Sequence, residues 1–201
     1  MTTEPLKLGF LASRNGSSMR AVIEATERGA LAARPLLAVS NNRSASALEF
    51  ADAHGVATLV IATQADPDAA DARLCAAMKE AGVELIVLSG YLRRLGPLTL
   101  GAYRNRILNI HPGLLPTFGG EGMYGRRVHE AVIAAGASES GATIHAVDDI
   151  YDHGPVIARR TVPVLPGDTP DSLEARVTAM EPGFFVETLQ AIAEGRQPLP
   201  A

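Results

Sequence analysis

The chain is organised around one short stretch, Leu108-Asn109-Ile110-His111-Pro112-Gly113-Leu114-Leu115-Pro116. We expect a strand over residues 106–110 to end here, because Pro112 has no N–H and favours extended backbone in the residue before it. Side chains two positions apart on a strand share a face, so Asn109 and His111 are predicted to point the same way. An imidazole can transfer a proton near neutral pH, and an amide can donate to an oxygen that becomes negative. The pair indicates an acyl-transfer centre. The alternative is that His111 only caps the strand and Asn109 only satisfies a turn.

Strands and helices alternate on the N-terminal side of this stretch. Apolar runs predict strands over residues 6–12, 36–39, 57–61 and 84–88, and helical periodicity predicts helices over 17–28, 44–54 and 68–80. Strands this rich in Val, Ile and Leu are typical of a mostly parallel sheet that is covered on both faces.

On the C-terminal side, a helix is predicted over 128–135, and strands over 140–147 and 156–164 are expected to form an antiparallel hairpin. Pro170 lies in the first turn of a last long helix, which Pro182 is predicted to kink or break near Glu181. The sequence thus predicts an α/β fold, a Rossmann-like three-layer sandwich with a mostly parallel central sheet, helices on both faces and an antiparallel C-terminal addition. We expect a single domain over residues 1–201.

The composition of the 201-residue chain argues against several classes of function. With a net charge of −4 and no basic run interleaved with aromatic residues, the chain is not expected to bind nucleic acid. No segment approaches the roughly 20 apolar residues of a membrane span, and the N-terminus lacks the pattern of a signal peptide. The single cysteine, Cys75, excludes an intramolecular disulfide and favours a reducing compartment, so a cytoplasmic location is predicted.

Two further loops are predicted to converge with the end of the strand over residues 106–110. In parallel sheets, ligands gather at the carboxyl ends of the strands, which these loops follow. Residues 13–18 lead from a strand into a helix, where free N–H groups and the helix dipole suit a phosphate. This loop lacks the glycine pattern of dinucleotide sites and the ending of a P-loop, and a capped turn without ligand remains an alternative. In the turn over 89–95, Tyr91 and Leu92 could form an apolar wall while backbone groups meet a flat heterocycle, or the turn could simply start a helix.

Five pieces of sequence, in order along the chain, carry a resemblance to a known family. They are Asn15-Gly16-Ser17, Gly90-Tyr91-Leu92-Arg93, Asn109-Ile110-His111-Pro112 with Leu114-Leu115-Pro116, residues 141–145, and Asp152 ahead of Gly154-Pro155. Over nearly its whole length the chain resembles the phosphoribosylglycinamide formyltransferases, which are folate-dependent enzymes of purine synthesis. The resemblance implies that a formyl group passes from 10-formyltetrahydrofolate to the primary amine of glycinamide ribonucleotide through a tetrahedral intermediate.

The resemblance also implies roles for individual residues. Asn109, His111 and Asp152 form the catalytic set: Asn109 and a protonated His111 stabilise the oxyanion, while Asp152 raises the pKa of His111 and relays the amine proton through water. Glycinamide ribonucleotide is expected to contact Asn15, Gly16, Ser17, Ser18, Gly90 and Glu181, with its phosphate at Gly16, Ser17 and Ser18. Folate is expected to contact Tyr91, Leu92, Arg93, Arg94, Leu95, Asn109, Val147, Asp148, Asp149 and Asp152. No metal is expected.

The chain departs from the family pattern where ligands would be held. Ser18 replaces an asparagine that is frequent in the family, and the segment 66–68 lacks an arginine expected at the folate glutamate, for which Arg93 or Arg94 could substitute. Among the remaining histidines, His54 and His129 are expected to be partly exposed, His145 to be a satisfied core group, and His153 to be a minor candidate for tuning the loop of Asp152.

Other functions stay open at this point. The same centre would suit formyltetrahydrofolate hydrolysis, methionyl-tRNA formylation or sugar-amine formylation, although the first two are expected to need an extra domain for which the chain has no room. A non-catalytic phosphosugar or folate-binding module is the alternative from another class. The expected partners are small molecules, and a homodimer is left open.

Overall fold

The computed structural model describes residues 4–201 and contains one seven-stranded sheet. Its strands are β1 Leu6–Leu11, β2 Ala33–Ser40, β3 Ala57–Val60, β4 Leu85–Leu88, β5 Ile107–His111, β6 Glu139–Ala146 and β7 Val156–Pro163. They lie in the order β3-β2-β1-β4-β5-β6-β7, with β1 to β5 parallel and β6 and β7 antiparallel. The predicted α/β fold with an antiparallel C-terminal addition is confirmed. The single domain predicted over residues 1–201 includes three residues that lie outside the described range.

Six helices cover the two faces of the sheet within the described residues. They are α1 Ser17–Glu27, α2 Ser46–Ala53, α3 Pro67–Glu80, α4 Pro97–Ala102, α5 Arg126–Ala134 and α6 Pro170–Ala193. One buried core packs α1, α2, α5 and α6 on the sheet, and a second core packs α3 and the α4 region on the opposite face. The strands supply both cores because side chains alternate along them: Phe10 enters the first core and Leu11 the second. None of these helices is both long and apolar enough to cross a membrane.

Of the kink or break predicted at Pro182, the break is wrong, and the kink stays a prediction. α6 runs without interruption through Pro182, which lies inside it. Proline inside a helix costs about 3 kcal/mol or more. Burial of Phe184 and Phe185, which follow it at 3% and 0% exposure, contributes about 3 to 6 kcal/mol. Tertiary packing on both sides of Pro182 therefore outweighs the lost hydrogen bond.

The strand order places the carboxyl ends of β1, β4 and β5 side by side. The loop after β1 and the turn after β4 are in direct contact, since the backbone N–H of Ser13 donates to the carbonyl of Gly90 at 3.2 Å. The end of β6 lies at the start of β5, where the N–H of Val147 donates to the carbonyl of Ile107 at 2.8 Å, and the loop that follows β6 brings Asp152 to His111 at the carboxyl end of β5. The loops that were predicted to converge therefore lie along one edge of the sheet.

Candidate active site

Four side chains meet at the end of β5 and form the centre of the site. Asn109 and His111 come from β5, His145 from β6, and Asp152 from the loop between β6 and β7. The Asp152 carboxylate lies 3.3 Å from Nδ1 of His111 through Oδ2 and 3.5 Å from Nε2 of His145 through Oδ1. The side chain of Asn109 lies 3.2 Å from Nε2 of His145 through Nδ2. The structure thus brings together the three residues of the expected catalytic set.

His145 is the member of this cluster that sequence reasoning missed. It is buried and hydrogen-bonded, as expected of a core histidine, but its partners are catalytic candidates. Its Nδ1 donates to the carbonyl of Ala146 at 3.0 Å. Its Nε2 faces both the side-chain amide of Asn109 and the Asp152 carboxylate. Antiparallel pairing sets His145 opposite Asn109. This register is the signal that could have revealed its position.

His111 is 3% exposed, and both of its ring nitrogens face acceptors. Nε2 lies 2.6 Å from the carbonyl of Phe118, and Nδ1 faces Asp152. Burial lowers the pKa of His111 below its ordinary value, although Asp152 and the Phe118 carbonyl act to raise it. The expectation that Asp152 would leave His111 with a raised pKa is therefore wrong, because the loss of water around the ring outweighs the attraction of the carboxylate.

Asp152 is held as a carboxylate by its neighbours. Burial acts to raise its pKa, but contacts with His145, His111 and the N–H of Gly120 outweigh it, and the pKa lies below the ordinary value. The Gly120 N–H donates to Oδ2 at 3.1 Å. A Cβ on the preceding Gly119 would lie 3.2 Å from Cβ of Asp152. The Gly-rich segment 118–125 therefore packs directly on the catalytic candidates, and glycine permits the close approach.

The loop between β1 and α1 has the geometry of an anion site. Gly16 precedes the helix with φ +66° and supplies no side-chain cap, and the first turn holds no acidic residue. Ser17 is exposed and Ser18 is buried at its start, and Asn15 is exposed beside them. The first N–H groups of a helix have no carbonyl partner within it, and the helix dipole attracts negative charge there. These residues could hold a phosphate.

A cavity of about 870 Å³ lies between the turn after β4, α4 and the loop after β6, and none of the four clustered side chains lines it. Five of the expected folate contacts line it, namely Arg94, Leu95, Val147, Asp148 and Asp149. The guanidinium of Arg94 donates to the carbonyl of Asp149 at 2.7 Å and joins two walls of the cavity.

Other expected ligand contacts in the turn after β4 lie elsewhere. Tyr91 and Arg93 line a second cavity of about 250 Å³, which Arg94 and Leu95 share. Leu92 is 58% exposed, and Gly90 is exposed with φ +70°. The turn thus separates the two cavities and presents different residues to each.

Glu181 is the one expected substrate contact on α6, and its carboxyl group is a weaker acid than usual. Burial raises the pKa of Glu181 to about 7, and the neighbouring Glu174 carboxylate adds to the rise. A carboxyl group that titrates near neutral pH is typical of functional sites.

The other histidines lie outside the catalytic cluster. His129 is 1% exposed, so the expectation that it is partly exposed is wrong. The ring of His153 lies 2.8 Å from the Asp148 carboxylate, and that of His54 lies 2.8 Å from Glu27. Within residues 4–201, no group of three or more His, Cys, Asp or Glu side chains is placed to hold a metal ion.

Known proteins resemble this chain over nearly its whole length. The family model described as formyl transferase matches residues 6–189. The chain is 37% identical over 198 residues to the chloroplastic phosphoribosylglycinamide formyltransferase of Vigna unguiculata, a match that covers 98% of this chain and 64% of that protein. It is 35% identical over 193 residues to phosphoribosylglycinamide formyltransferase of Escherichia coli strain K12, covering 95% of this chain and 89% of that protein.

A solved structure shows the same fold. Glycinamide ribonucleotide transformylase 1 from Symbiobacterium toebii has a TM-score of 0.87 and 33% identity, covering 98% of this chain and 92% of that one. The chain spans slightly less than two thirds of the plant relative's length. Since the family model spans nearly all of the described residues and the similar proteins confirm the resemblance in the sequence, the chain belongs to the formyl transferase family.

Proposed function

We propose that the protein transfers a formyl group from 10-formyltetrahydrofolate to the primary amine of glycinamide ribonucleotide, a step of purine synthesis. The observation that carries the proposal is the cluster of Asn109, His111, His145 and Asp152. A cavity of about 870 Å³, which five of the expected folate contacts line, supports it. The names of the similar plant and bacterial enzymes support the same reaction.

The chemistry begins with attack of the amine nitrogen on the formyl carbon. As the new C–N bond forms, the π electrons of the formyl group move to its oxygen and give a tetrahedral intermediate with an oxyanion. Asn109 and His111 supply N–H donors for that oxygen, because both lie near the carboxyl end of β5 and their side chains join one cluster with Asp152. Such donors act strongly in a site from which water is largely excluded.

Protons and charge are then handled by Asp152 and His111. Because the pKa of His111 is lowered by burial, the ring is largely neutral before substrate binds, and the ionised Asp152 supports the positive charge that it gains beside the oxyanion. Asp152 accepts the proton of the attacking amine through a water molecule and passes it to His111, which thereby becomes positively charged. Collapse of the intermediate breaks the bond between the formyl carbon and folate nitrogen N10, and that nitrogen takes up the same proton from His111.

The remaining expected contacts hold the substrates around this centre. The phosphate of glycinamide ribonucleotide lies on the N–H groups of Gly16, Ser17 and Ser18, and Glu181 meets its ribose or amine end. Folate occupies the larger cavity, with its ring system beside Leu95 and Val147. We also propose that the protein is cytoplasmic and that it binds neither nucleic acid nor membranes.

The test combines turnover with binding. We expect His111→Ala and Asp152→Asn each to lower turnover by about 100-fold or more, since general acid–base and oxyanion contributions are of this size. His54→Ala is the matched control, because this histidine contacts Glu27 outside the cluster. Turnover would be followed by formation of tetrahydrofolate, and calorimetry would measure binding of each substrate to all variants.

Two results would contradict the proposal. If both ligands bind to the unaltered protein but no formyl group is transferred, the protein is a non-catalytic binding module. If His111→Ala or Asp152→Asn retains near-normal turnover while His54→Ala behaves identically, the assignment of the catalytic residues is wrong.

A further inference from the structure

The loop that precedes α1 and the turn that follows β4 are linked by a reciprocal pair of serines. Strands β1 and β4 are adjacent and parallel, and Ser13 and Ser89 each follow the end of one of them. Both side chains are buried, at 4% and 3% exposure. The Ser13 hydroxyl accepts a hydrogen bond from a backbone N–H of the turn after β4, and the Ser89 hydroxyl accepts one from a backbone N–H in the first turn of α1.

Ser13 binds the turn after β4 from the side of the phosphate loop. Its Oγ accepts from the N–H of Leu92 at 2.8 Å and donates to Oδ1 of Asn41 at 2.6 Å. Its own N–H donates to the carbonyl of Gly90. The backbone on both sides of Tyr91 is therefore fixed by one residue of the first loop.

Ser89 makes the return connection. Its Oγ accepts from the N–H of Met19 at 3.0 Å. Met19 is the third residue of α1, so its N–H is one of the groups that has no carbonyl partner within the helix. Ser89 satisfies this third donor, and the N–H groups of Ser17 and Ser18 are the ones on which the proposed phosphate would lie.

We infer that Ser13 and Ser89 are positioning residues that couple the binding of the two substrates. The inference rests on the proposed function, in which the α1 loop holds the phosphate of one substrate and the turn borders the folate. A phosphate that restrains the first turn of α1 also restrains the hydrogen bond between Met19 and Ser89. Through that bond it restrains the turn after β4. The second ligand then finds its loop already fixed and binds more tightly.

The experiment measures this coupling with two ligands that cannot react with each other. Calorimetry gives the Kd of tetrahydrofolate, which carries no formyl group, with and without saturating glycinamide ribonucleotide. We expect glycinamide ribonucleotide to lower that Kd by about fivefold or more, a typical size for coupling between sites. In Ser13→Ala and Ser89→Ala the ratio of the two Kd values is expected to fall below about twofold.

A matched control separates coupling from general loss of packing. Thr188→Ala removes another buried hydroxyl, which donates to Phe184 within α6, and this variant is expected to keep the full ratio. The inference is overturned if the ratio in both serine variants equals that of the unaltered protein. It is also overturned if, in the unaltered protein, the Kd of tetrahydrofolate is the same with and without glycinamide ribonucleotide. Failure of either ligand to bind the unaltered protein is a different result, which overturns the proposed function together with the coupling.

Discussion

The folded protein destabilises the charged form of the Glu181 carboxyl group. Its pKa is raised from 4.5 to about 7 by burial and by the nearby Glu174. The folded protein therefore binds this proton more tightly than the unfolded chain does. The stability that the protonated form contributes is complete below pH 4.5 and is lost as the pH rises through 7.

We predict that Glu181→Gln stabilises the protein at alkaline pH and weakens binding of the amine substrate. The free energy of unfolding should rise by an amount on the order of 1 kcal/mol at about pH 8, while the gain at about pH 5 should be much smaller. Urea unfolding of the variant and of the unaltered protein at both pH values measures the change in the free energy of unfolding. Glu187→Gln on the same helix is the control, because the pKa of Glu187 is lowered by its hydrogen bond with Arg160. A gain in Glu181→Gln that is equal at the two pH values would contradict the argument.

Individual site residues are predictable from the sequence to the extent that local pattern defines them. The spacing of Asn109 and His111 on a strand is enough to indicate a shared site. Asp152 is identified only through the family resemblance, and His145 is missed because a buried histidine on a strand has the same local pattern whether or not it faces a site. The pKa of His111 is predicted in the wrong direction because the burial of a side chain is a property of the fold.

At the scale of elements, α4 is the helix that the sequence pattern does not predict as a separate element. It has six residues, Pro97–Ala102, and its N-terminal neighbour Gly96 offers no side-chain cap. Asp71, reaching across from α3, accepts from the N–H groups of Leu98 at 2.8 Å and Thr99 at 3.1 Å. A helix this short depends on a cap that is distant in sequence, and periodicity cannot reveal such a partner.

We predict that Asp71→Ala loosens α4 and with it one wall of the larger cavity. Gly96 and Leu100, at the start of and within α4, line that cavity. Loss of a cap costs about 1 kcal/mol, and the KM for 10-formyltetrahydrofolate should rise several-fold while the KM for glycinamide ribonucleotide changes little. Steady-state kinetics with each substrate varied in turn measures this difference.

The control for that experiment is another helix cap. Thr169 caps α6 through the N–H of Ser172, so Thr169→Ala should lower the melting temperature without a selective change in either KM. Gly96→Ala should reproduce the effect of Asp71→Ala, because a Cβ on Gly96 would collide with the Asp71 side chain. Equal rises in both KM values in Asp71→Ala would show that the cap acts on the whole protein rather than on the cavity.

For the whole molecule, the fold is predictable because alternation of strands and helices limits the topology to few choices. Parallel strands with crossover helices of this length form sheets covered on both faces. The strand β2 nevertheless begins at Ala33 rather than at residue 36. It can include Pro35 because the pairing with β1 shifts its register next to this residue, and a strand tolerates proline at such an irregularity. Registers and end points depend on such contacts between distant segments, which one sequence does not specify.

We propose that residues 4–201 unfold as one cooperative unit, as expected of a single domain. The two cores share the strands of one sheet, and α6 packs on the same core as α1, so no group of elements has a core of its own. Circular dichroism and calorimetry should give one transition with equal calorimetric and van't Hoff enthalpies. Glycinamide ribonucleotide at about 100 times its Kd should raise the Tm of this whole transition by roughly 5 to 10 °C. Two transitions, of which the ligand moves only one, would mean that the edge carrying the site folds separately from the rest of the sheet.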